Sequence, residues 1–271
     1  MVVPCQNQSG QGAALRMLEP LKPLTQNCRH DAARKGDPGA GPVRGTDGFD
    51  SSDFHYVNGT PLMATLYGLD VLAPARWQQV PELLLSGPNE GQNLGSLVNS
   101  SGTVSNAQLG LARRIPSIAL SADADTANHA ALSADVAQLG VRLVQTLQAR
   151  ASGQPLLPDG IGFNVNVPRF AAGTAARLRW TLTRRGDYET RTLRFVPNLA
   201  QHPAGRAGKL GAYPGLVIEP VPTPPTAQQR DDEAAVVLAG RIAVTPMQLG
   251  FEALTQDRET LRKRMQSLLR R

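Results

Sequence analysis

The sequence predicts an α/β fold with a mostly parallel sheet. Between residues 54 and 167, apolar runs typical of strands alternate with runs that carry apolar residues at helical spacing. Residues 83–85 are three consecutive leucines, a run of the kind that fully buried parallel strands contain. Residues 161–167 alternate apolar side chains with glycine and asparagine, which indicates a strand with two different faces. Strands joined by helices imply βαβ units and therefore a largely parallel sheet.

The individual elements are predicted from periodicity and turn signals. Residues 2–4 read as a strand, and residues 29–53, polar and Gly-rich without a period, read as an exposed loop. The later elements are a strand at 54–57, a helix at 61–72, a strand at 83–85, a helix at 103–114, a strand at 117–120, a helix at 127–151, a strand at 161–167, strand-like runs at 177–183 and 190–196, a strand at 241–244 and an amphipathic helix at 251–269. Arg185-Gly186-Asp187 separates the two strand-like runs and predicts that they pair as an antiparallel hairpin.

These elements divide one α/β domain into three parts. The core is expected at about 1–170 and 231–250, and a hairpin excursion at about 175–230. The C-terminal helix is expected at about 251–269, with apolar residues at near-helical spacing: Phe251, Leu254, Leu261, Met265 and Leu268.

Composition and charge exclude several classes of protein. The chain has 271 residues, of which 41% are hydrophobic and 18% charged, so neither a disordered tail nor a coiled coil fits. No apolar run approaches the roughly 20 residues that span a bilayer, so no membrane partner is expected. The net charge is +6, and residues 252–271 supply half of it. Because no basic stripe is interleaved with aromatic residues, nucleic acid is an unlikely partner.

The two cysteines, Cys5 and Cys28, fit neither a zinc site nor a disulfide-dense scaffold. Two buried thiols, or a single disulfide in an exported protein, both remain open. The chain as given has no recognisable signal peptide, which predicts a cytoplasmic protein. The alternative is a periplasmic or secreted protein, if the true N terminus lies upstream.

The most informative segment for function follows the predicted strand at 83–85. It is the loop Ser86-Gly87-Pro88-Asn89-Glu90-Gly91-Gln92-Asn93-Leu94-Gly95. Ligands of open α/β sheets bind outside the carboxyl ends of the strands, where this loop is expected. Its glycines let the backbone approach a ligand, and Asn89 and Asn93 offer amide donors and carbonyl oxygens. It is neither a Walker A loop nor a dinucleotide fingerprint, and taken alone it also fits a structural turn.

A second segment, Ser100-Ser101-Gly102-Thr103-Val104, opens the helix predicted next. The unpaired N–H groups and the positive end of the helix dipole make such a start a ready anion site. Plain N-capping by Ser101 is the alternative. A third polar patch, Gln6-Asn7-Gln8-Ser9-Gly10, again follows a predicted strand and on chemistry alone is a turn. The four histidines lack metal-ligand spacing, and no Gly-x-Ser-x-Gly nucleophile elbow is present.

Taken together, the ordered blocks resemble the SurE family, whose members are metal-dependent 5'/3'-nucleotidases and acid phosphatases. The similarity covers residues 2–168 and resumes near 231–247. The blocks that carry it are Val2-Val3-Pro4, Asn7-Gln8-Ser9-Gly10, Gly59-Thr60-Pro61, the loop Ser86 to Gly95, Ser101-Gly102-Thr103-Val104, Phe163-Asn164-Val165-Asn166-Val167-Pro168 and Val244-Thr245-Pro246.

The resemblance implies a Rossmann-like three-layer core, a protruding hairpin and a C-terminal segment exchanged within a homodimer or homotetramer. It implies hydrolysis of nucleoside monophosphates or other small phosphomonoesters with a divalent cation, Mg²⁺ or Mn²⁺. By motif position, Ser9 and Asn89 are expected as metal ligands, and Ser101, Gly102, Thr103 and Asn93 as phosphate-binding residues. Asn89, Ser101 and Thr103 are the expected catalytic residues.

One part of the family pattern falls outside the sequence. The family's first strand and its Asn-Asp-Asp-Gly motif, which supplies two carboxylate ligands, would precede Val2. Two expectations follow: a phosphatase whose Asp-Asp pair lies upstream, or a catalytically inactive oligomeric paralogue that binds phosphate or nucleotide.

Overall fold

The computed structural model describes residues 1–45, 50–249 and 255–269. The strands are β1 (Val2–Pro4), β2 (Ala40–Pro42), β3 (His55–Val57), β4 (Leu84–Glu90), β5 (Ser117–Ala122), β6 (Ile161–Asn166), β7 (Trp180–Leu182), β8 (Arg191–Val196), β9 (Gly215–Pro220) and β10 (Ile242–Gln248). The α-helices are α1 (Pro61–Tyr67), α2 (Ala73–Trp77), α3 (Gly102–Ala112), α4 (Ala130–Ala151), α5 (Pro203–Ala207), α6 (Glu233–Leu238), α7 (Thr255–Arg264) and α8 (Gln266–Leu269). A π-helical turn, Gly68–Leu72, joins α1 to α2, so the helix predicted at 61–72 is present and continues further.

The central sheet has five strands in the order β4-β5-β6-β10-β7. β4, β5 and β6 are parallel, β10 runs antiparallel to β6, and β7 runs parallel to β10 at the far edge. This arrangement confirms the predicted α/β fold with a mostly parallel sheet.

Helices cover both faces of this sheet because successive strand residues point to opposite sides. On β5, Ile118 and Leu120 pack with Val136 and Leu139 of α4. The alternate residue, Ala119, packs on the other face against α3. Helix α4 buries a stripe at helical spacing, so the two faces of the sheet and their helices form three layers.

A smaller sheet lies at the N-terminal end, in the order β1-β3-β2. β1 is parallel to β3, and β2 pairs antiparallel with β3. The disulfide between Cys5 and Cys28 lies beneath this sheet, buried with Leu24, Ala33 and Tyr56. Of the two alternatives for the cysteines, the structure therefore contains the disulfide.

The prediction that residues 29–53 form an exposed loop is wrong in part. β2 lies inside this segment, and Ala33 is fully buried against the disulfide. Both features depend on partners distant in sequence, which a local pattern of glycine and polar residues does not reveal.

The prediction that the strand at 83–85 is fully buried is also wrong. Among the described residues, β4 pairs only with β5, so it forms an edge of the central sheet. Leu85 is consequently 45% exposed. The free side of β4 and the free side of β1 line the same cavity, which separates the two sheets.

The predicted pairing of 177–183 with 190–196 is wrong. β7 adds to the central sheet beside β10, whereas β8 pairs antiparallel with β9. The segment between β7 and β8 folds around Asp232, whose carboxylate accepts hydrogen bonds from the N–H groups of Asp187 (3.2 Å) and Tyr188 (3.1 Å). A Cβ on Gly186 would lie 1.9 Å from the Cγ atom of Asp232. Glycine at this position therefore leaves room for the carboxylate of Asp232, which is distant in sequence, and does not form a hairpin turn. An antiparallel hairpin is nevertheless present, as β8 and β9.

The C-terminal segment is helical where it is described, in α7 and α8. Phe251 and Leu254, two members of the predicted apolar stripe, lie outside the described residues. The other three are exposed: Leu261 at 48%, Met265 at 46% and Leu268 at 72%. Among the helices that the structure describes, none combines the length and apolar character needed to cross a membrane.

Candidate functional site

A cavity of about 1530 Å³ lies between β1 and β4 and extends past their carboxyl ends. It is lined by residues of all three polar segments that the sequence singled out, because one follows β1, one forms the end of β4 and the loop after it, and one opens α3. The lining includes every predicted site residue: Ser9, Asn89, Asn93, Ser101, Gly102 and Thr103. The structure thus brings the six residues to one cavity, and their individual roles stay predictions.

The first wall of the cavity is an irregular segment of β4. The register with β5 shifts between Ser86 and Asn89, on either side of a cis Gly87–Pro88 bond. Gly87 has a φ of +118°, and a Cβ there would lie 2.1 Å from the carbonyl oxygen of Leu120. Only glycine allows the two backbones to approach this closely. The irregularity directly precedes Asn89, whose Nδ2 donates to the carbonyl oxygen of Gly91 (2.7 Å).

Asn93 is held from several directions. Its N–H donates to Oδ1 of Asn166 (2.8 Å), and its carbonyl oxygen accepts from Nδ2 of Asn164 (2.9 Å) and of Asn166 (3.1 Å). Its own Nδ2 donates to Oγ of Ser121 (2.7 Å). These bonds show that Asn93 has a structural role, because they hold the loop against β5 and β6. Its predicted contact with phosphate stays a prediction.

The second wall is the start of α3. Oγ of Ser101 accepts a hydrogen bond from the N–H of Val104 (3.1 Å). Ser101 is therefore the N-cap of α3, which is one of the two interpretations of this segment. A Cβ on Gly102 would lie 2.7 Å from Cγ of Pro61, so the glycine also permits close packing of α1 on α3. Between described residues, the N–H groups of Gly102 and Thr103 donate no hydrogen bond. Two unpaired donors at the positive end of a helix suit an anion.

The third wall is the loop after β1. The N–H of Ser9 donates to Oδ1 of Asn7 (2.9 Å), which folds the backbone into a tight turn with an exposed Ser9. The same loop is tied to the start of α3, since the N–H of Gly12 donates to the carbonyl oxygen of Ser100 (2.9 Å). Hydroxyl Oγ1 of Thr60 donates to the carbonyl oxygen of Ala14 (2.6 Å). The loop carrying Ser9 is therefore anchored beside the anion site.

Comparison with known proteins identifies the family of this chain. Residues 1–190 match the family described as "Survival protein SurE". The chain belongs to the SurE family. A protein named 5'-nucleotidase SurE from Symbiobacterium thermophilum is 30% identical over 201 residues, which cover 74% of this chain and 68% of that protein. A protein named acid phosphatase from Yarrowia lipolytica is 32% identical over 62% of this chain, which spans about half (48%) of that relative.

The fold of this SurE family chain is also that of a solved structure. The SurE protein from Aquifex aeolicus superposes with a TM-score of 0.66 at 26% sequence identity. The superposition covers 98% of this chain and 87% of that one. The Rossmann-like architecture expected from the resemblance is thereby confirmed.

The expected divalent cation can be tested against the donors of this SurE chain. Ser9 and Asn89 offer two neutral oxygens at the cavity, whereas Mg²⁺ and Mn²⁺ favour carboxylates. Across residues 1–45, 50–249 and 255–269, no three His, Cys, Asp or Glu side chains are grouped so as to hold a metal. The described residues therefore do not make up a complete site for such a cation.

The sequence did not reveal the buried polar network beneath the site. Its buried members outside the predicted set are Ser121, Asn164, Asn166, Thr183, Glu233 and Thr245, with the half-buried Glu189 at its edge. The available signal was the pair of asparagines in β6, which alternate with Val165 on a strand that is almost wholly buried. Buried amides need partners, so two of them on one strand face indicate a network.

Glu233 gives this network a pH dependence. Burial raises the pKa of Glu233, although hydrogen bonds from Thr245, Gly95 and Asn164 favour the charged form. A carboxyl whose pKa is higher in the folded than in the unfolded state contributes most to the stability of the fold at low pH. This contribution to stability is lost as pH rises through the folded pKa.

We therefore expect Glu233→Gln to become more stable relative to wild type as pH rises above the ordinary Glu pKa of about 4.3. The glutamine carries no charge that burial can penalise. Melting temperatures of both proteins, measured from pH 4 to pH 8, check this. A constant difference across that range would mean that Glu233 titrates as it does in the unfolded chain.

Proposed function

We propose that this protein hydrolyses phosphomonoesters, with nucleoside monophosphates as substrates. The observation that carries the proposal is the pair of N–H groups on Gly102 and Thr103, at the start of α3 beside the cavity, which donate to no other described residue. The relatives named 5'-nucleotidase and acid phosphatase support it.

In this proposal the phosphate group binds at the start of α3. The N–H groups of Gly102 and Thr103 donate to its oxygens, and the hydroxyl of Thr103 supplies a third donor. Ser101 acts indirectly, because its cap on Val104 keeps the first turn of the helix in place. As water attacks phosphorus and the P–O bond to the leaving alcohol breaks, negative charge on the phosphoryl oxygens is stabilised by these preorganised donors; the products are inorganic phosphate and the alcohol, which takes up a proton from the attacking water. Each such donor is typically worth about 10²-fold or more in rate.

We further propose that activity depends on Mg²⁺ or Mn²⁺, with Ser9 and Asn89 among the ligands. The position of both residues at the cavity supports this assignment. When bound, the cation would polarise the phosphoryl group. The carboxylate ligands that such an ion favours are not grouped among the described residues, so we derive no catalytic step through it.

A second candidate function is binding of phosphate or nucleotide without hydrolysis. The observation that favours it is the same lack of a carboxylate cluster within the described part of the chain. The anion site at α3 needs no metal ion, so it can serve either function.

One assay separates the two candidates. Hydrolysis of p-nitrophenyl phosphate and of a nucleoside 5'-monophosphate is measured with Mg²⁺, with Mn²⁺ and with a chelator, and binding of inorganic phosphate is measured by calorimetry. Cation-dependent turnover supports the phosphatase. Binding without turnover supports the second candidate, and the absence of both from folded protein contradicts each of them.

We also propose that the protein is a homodimer or homotetramer in which the C-terminal helices are exchanged between subunits. The exposed Leu261, Met265 and Leu268 support this, because a partner subunit would cover apolar surface that one chain leaves open.

Deletion of residues 250–271 is accordingly expected to convert the oligomer to a monomer, because the exchanged apolar contacts are removed. Size-exclusion chromatography with light scattering gives the mass directly. Leu268→Glu, which leaves the chain length unchanged, serves as the milder companion variant. If both variants contain the same number of subunits per particle as wild type, the exchange is contradicted.

For localisation we propose the periplasm or another oxidising compartment rather than the cytoplasm. The Cys5–Cys28 disulfide supports this, since disulfides persist in oxidising environments and are rare in the cytosol. The disulfide joins cysteines 23 residues apart in sequence. By the chain-entropy estimate, closing a loop of this length stabilises the folded state by about 3 kcal/mol. Mass spectrometry of protein isolated from its native source under alkylating conditions tests the proposal: alkylation of both Cys5 and Cys28 would contradict it, because only free thiols are alkylated.

A further inference from the structure

Glu233, the first residue of α6, is fully buried and accepts three hydrogen bonds. Its Oε1 accepts from the N–H of Gly95 (2.9 Å). Its Oε2 accepts from Oγ1 of Thr245 (2.6 Å) and from Nδ2 of Asn164 (3.3 Å). A buried carboxyl is costly to keep, and burial raises the pKa of Glu233, so its partners are its main compensation.

These partners connect Glu233 to the loop that carries the site, here called the ligand loop and defined as residues 89–95. The bond from Gly95 holds the end of this loop directly. The bond from Asn164 acts through one further step, because the same Nδ2 also donates to the carbonyl oxygen of Asn93 (2.9 Å). One carboxyl thus fixes two positions of the ligand loop.

Gly95 is also the point from which the chain enters the anion site. A 3₁₀ helix, Gly95–Ser100, starts here and leads straight to the cap residue Ser101 of α3. Gly95 has a φ of +55°, and its neighbour Ser96 donates its N–H to Oε1 of Glu189 (2.7 Å). Movement at Gly95 would therefore shift the adjoining end of the ligand loop on one side and the start of α3 on the other.

We propose that Glu233 is a positioning residue for the phosphate site. Its carboxyl sets the junction at Gly95, and through it the relative placement of the ligand loop and the start of α3. The proposal rests on the proposed function for its effect on ligands, whereas the contact with Gly95 stands independently of that function.

The test compares Glu233→Ala, Glu233→Gln and the control Thr183→Val. Alanine removes every acceptor at this position, while glutamine keeps one for the N–H of Gly95. The control removes the buried hydroxyl of Thr183, which is hydrogen-bonded to Oγ1 of Thr245 (2.8 Å), one step from Glu233. Among the described residues, this hydroxyl makes no hydrogen bond to the ligand loop. Thr183→Val therefore shows how much binding and turnover change when the buried hydrogen-bond network is weakened but Glu233 is kept.

Three quantities are measured on each folded variant. They are hydrogen exchange of the Gly95 amide, the affinity for inorganic phosphate, and turnover of p-nitrophenyl phosphate per folded molecule. For Glu233→Ala we expect faster exchange at Gly95, phosphate binding weakened about tenfold, and turnover lowered roughly 10–100-fold, as for a misplaced binding group. Glu233→Gln should recover much of each loss, and Thr183→Val should match wild type in all three while melting at a lower temperature.

The outcomes separate this proposal from the proposed function. Unchanged phosphate affinity and turnover in Glu233→Ala, in a wild-type background that binds and hydrolyses, would overturn the positioning role. So would an equal loss in Thr183→Val. If wild type neither binds nor hydrolyses, the proposed function fails, and unchanged exchange at Gly95 would still overturn the anchoring by Glu233. If Glu233→Ala does not fold, Glu233→Asp decides by the same measurements, because it keeps the carboxyl but shortens its reach to Gly95; unchanged exchange, affinity and turnover in that variant would overturn the positioning role.

Discussion

Replacing Thr103 by alanine is expected to lower turnover of phosphomonoesters by roughly 10²-fold, with little change in the melting temperature. The substitution removes the hydroxyl that would donate to the phosphoryl oxygens in the transition state. Thr103 is only half-buried, so the fold loses little packing. Steady-state kinetics with p-nitrophenyl phosphate and a nucleoside 5'-monophosphate measure the effect.

Ser105→Ala is the matched control for this variant. Ser105 lies on the same helix, two residues further along, is also half-buried and does not line the cavity. It should keep wild-type turnover. Turnover of Thr103→Ala within about threefold of wild type would remove Thr103 from the site, and an equal loss in both variants would show a general effect on α3.

The largest expected effect on stability comes from Gly87→Ala. The added Cβ would meet the carbonyl oxygen of Leu120 at 2.1 Å, and the residue would have to hold a φ of +118°. Backbone strain of this kind costs roughly 1–3 kcal/mol, and overpacking costs a similar amount. We expect the free energy of unfolding to fall by roughly 3 kcal/mol or more, a large share of the 5–15 kcal/mol typical of a folded protein.

Gly91→Ala separates the two causes. Gly91 has a nearly equal φ of +111°, but a Cβ there would meet only Nδ2 of Asn89, at 4.0 Å. This variant should therefore lose only the strain contribution, roughly 1–3 kcal/mol. Urea unfolding of both variants gives the comparison, and equal losses would mean that the close approach of Gly87 to β5 does not matter for stability.

The parts of the fold that the sequence predicted are those set by local periodicity. β5, β6, α3 and α4 each carry an apolar pattern that matches their burial, so their positions are close to the prediction. The segments that line the cavity could also be predicted, because polar loops after parallel strands meet at one edge of a sheet, whereas the roles of their residues stay predictions. The cavity beside Asn89 and Thr103 follows from that rule.

The parts that were wrong depend on partners far away in sequence. The turn at Arg185-Gly186-Asp187 resembles a hairpin turn locally. However, the N–H of Asp187 is hydrogen-bonded to the carboxylate of Asp232, and β7 pairs with β10. β2 and the buried Ala33 depend likewise on β3 and the disulfide. Glu233 lies 138 residues from Gly95, and no local pattern connects the two.

The measurement that tests the account most directly is a titration with inorganic phosphate followed by amide resonances of the ¹⁵N-labelled protein. If phosphate binds at the start of α3, we expect saturable shifts that are largest for the amides of Gly102 and Thr103, with smaller shifts along the ligand loop. Saturable shifts confined to another part of the molecule, or none at all in folded protein at millimolar phosphate, would contradict it.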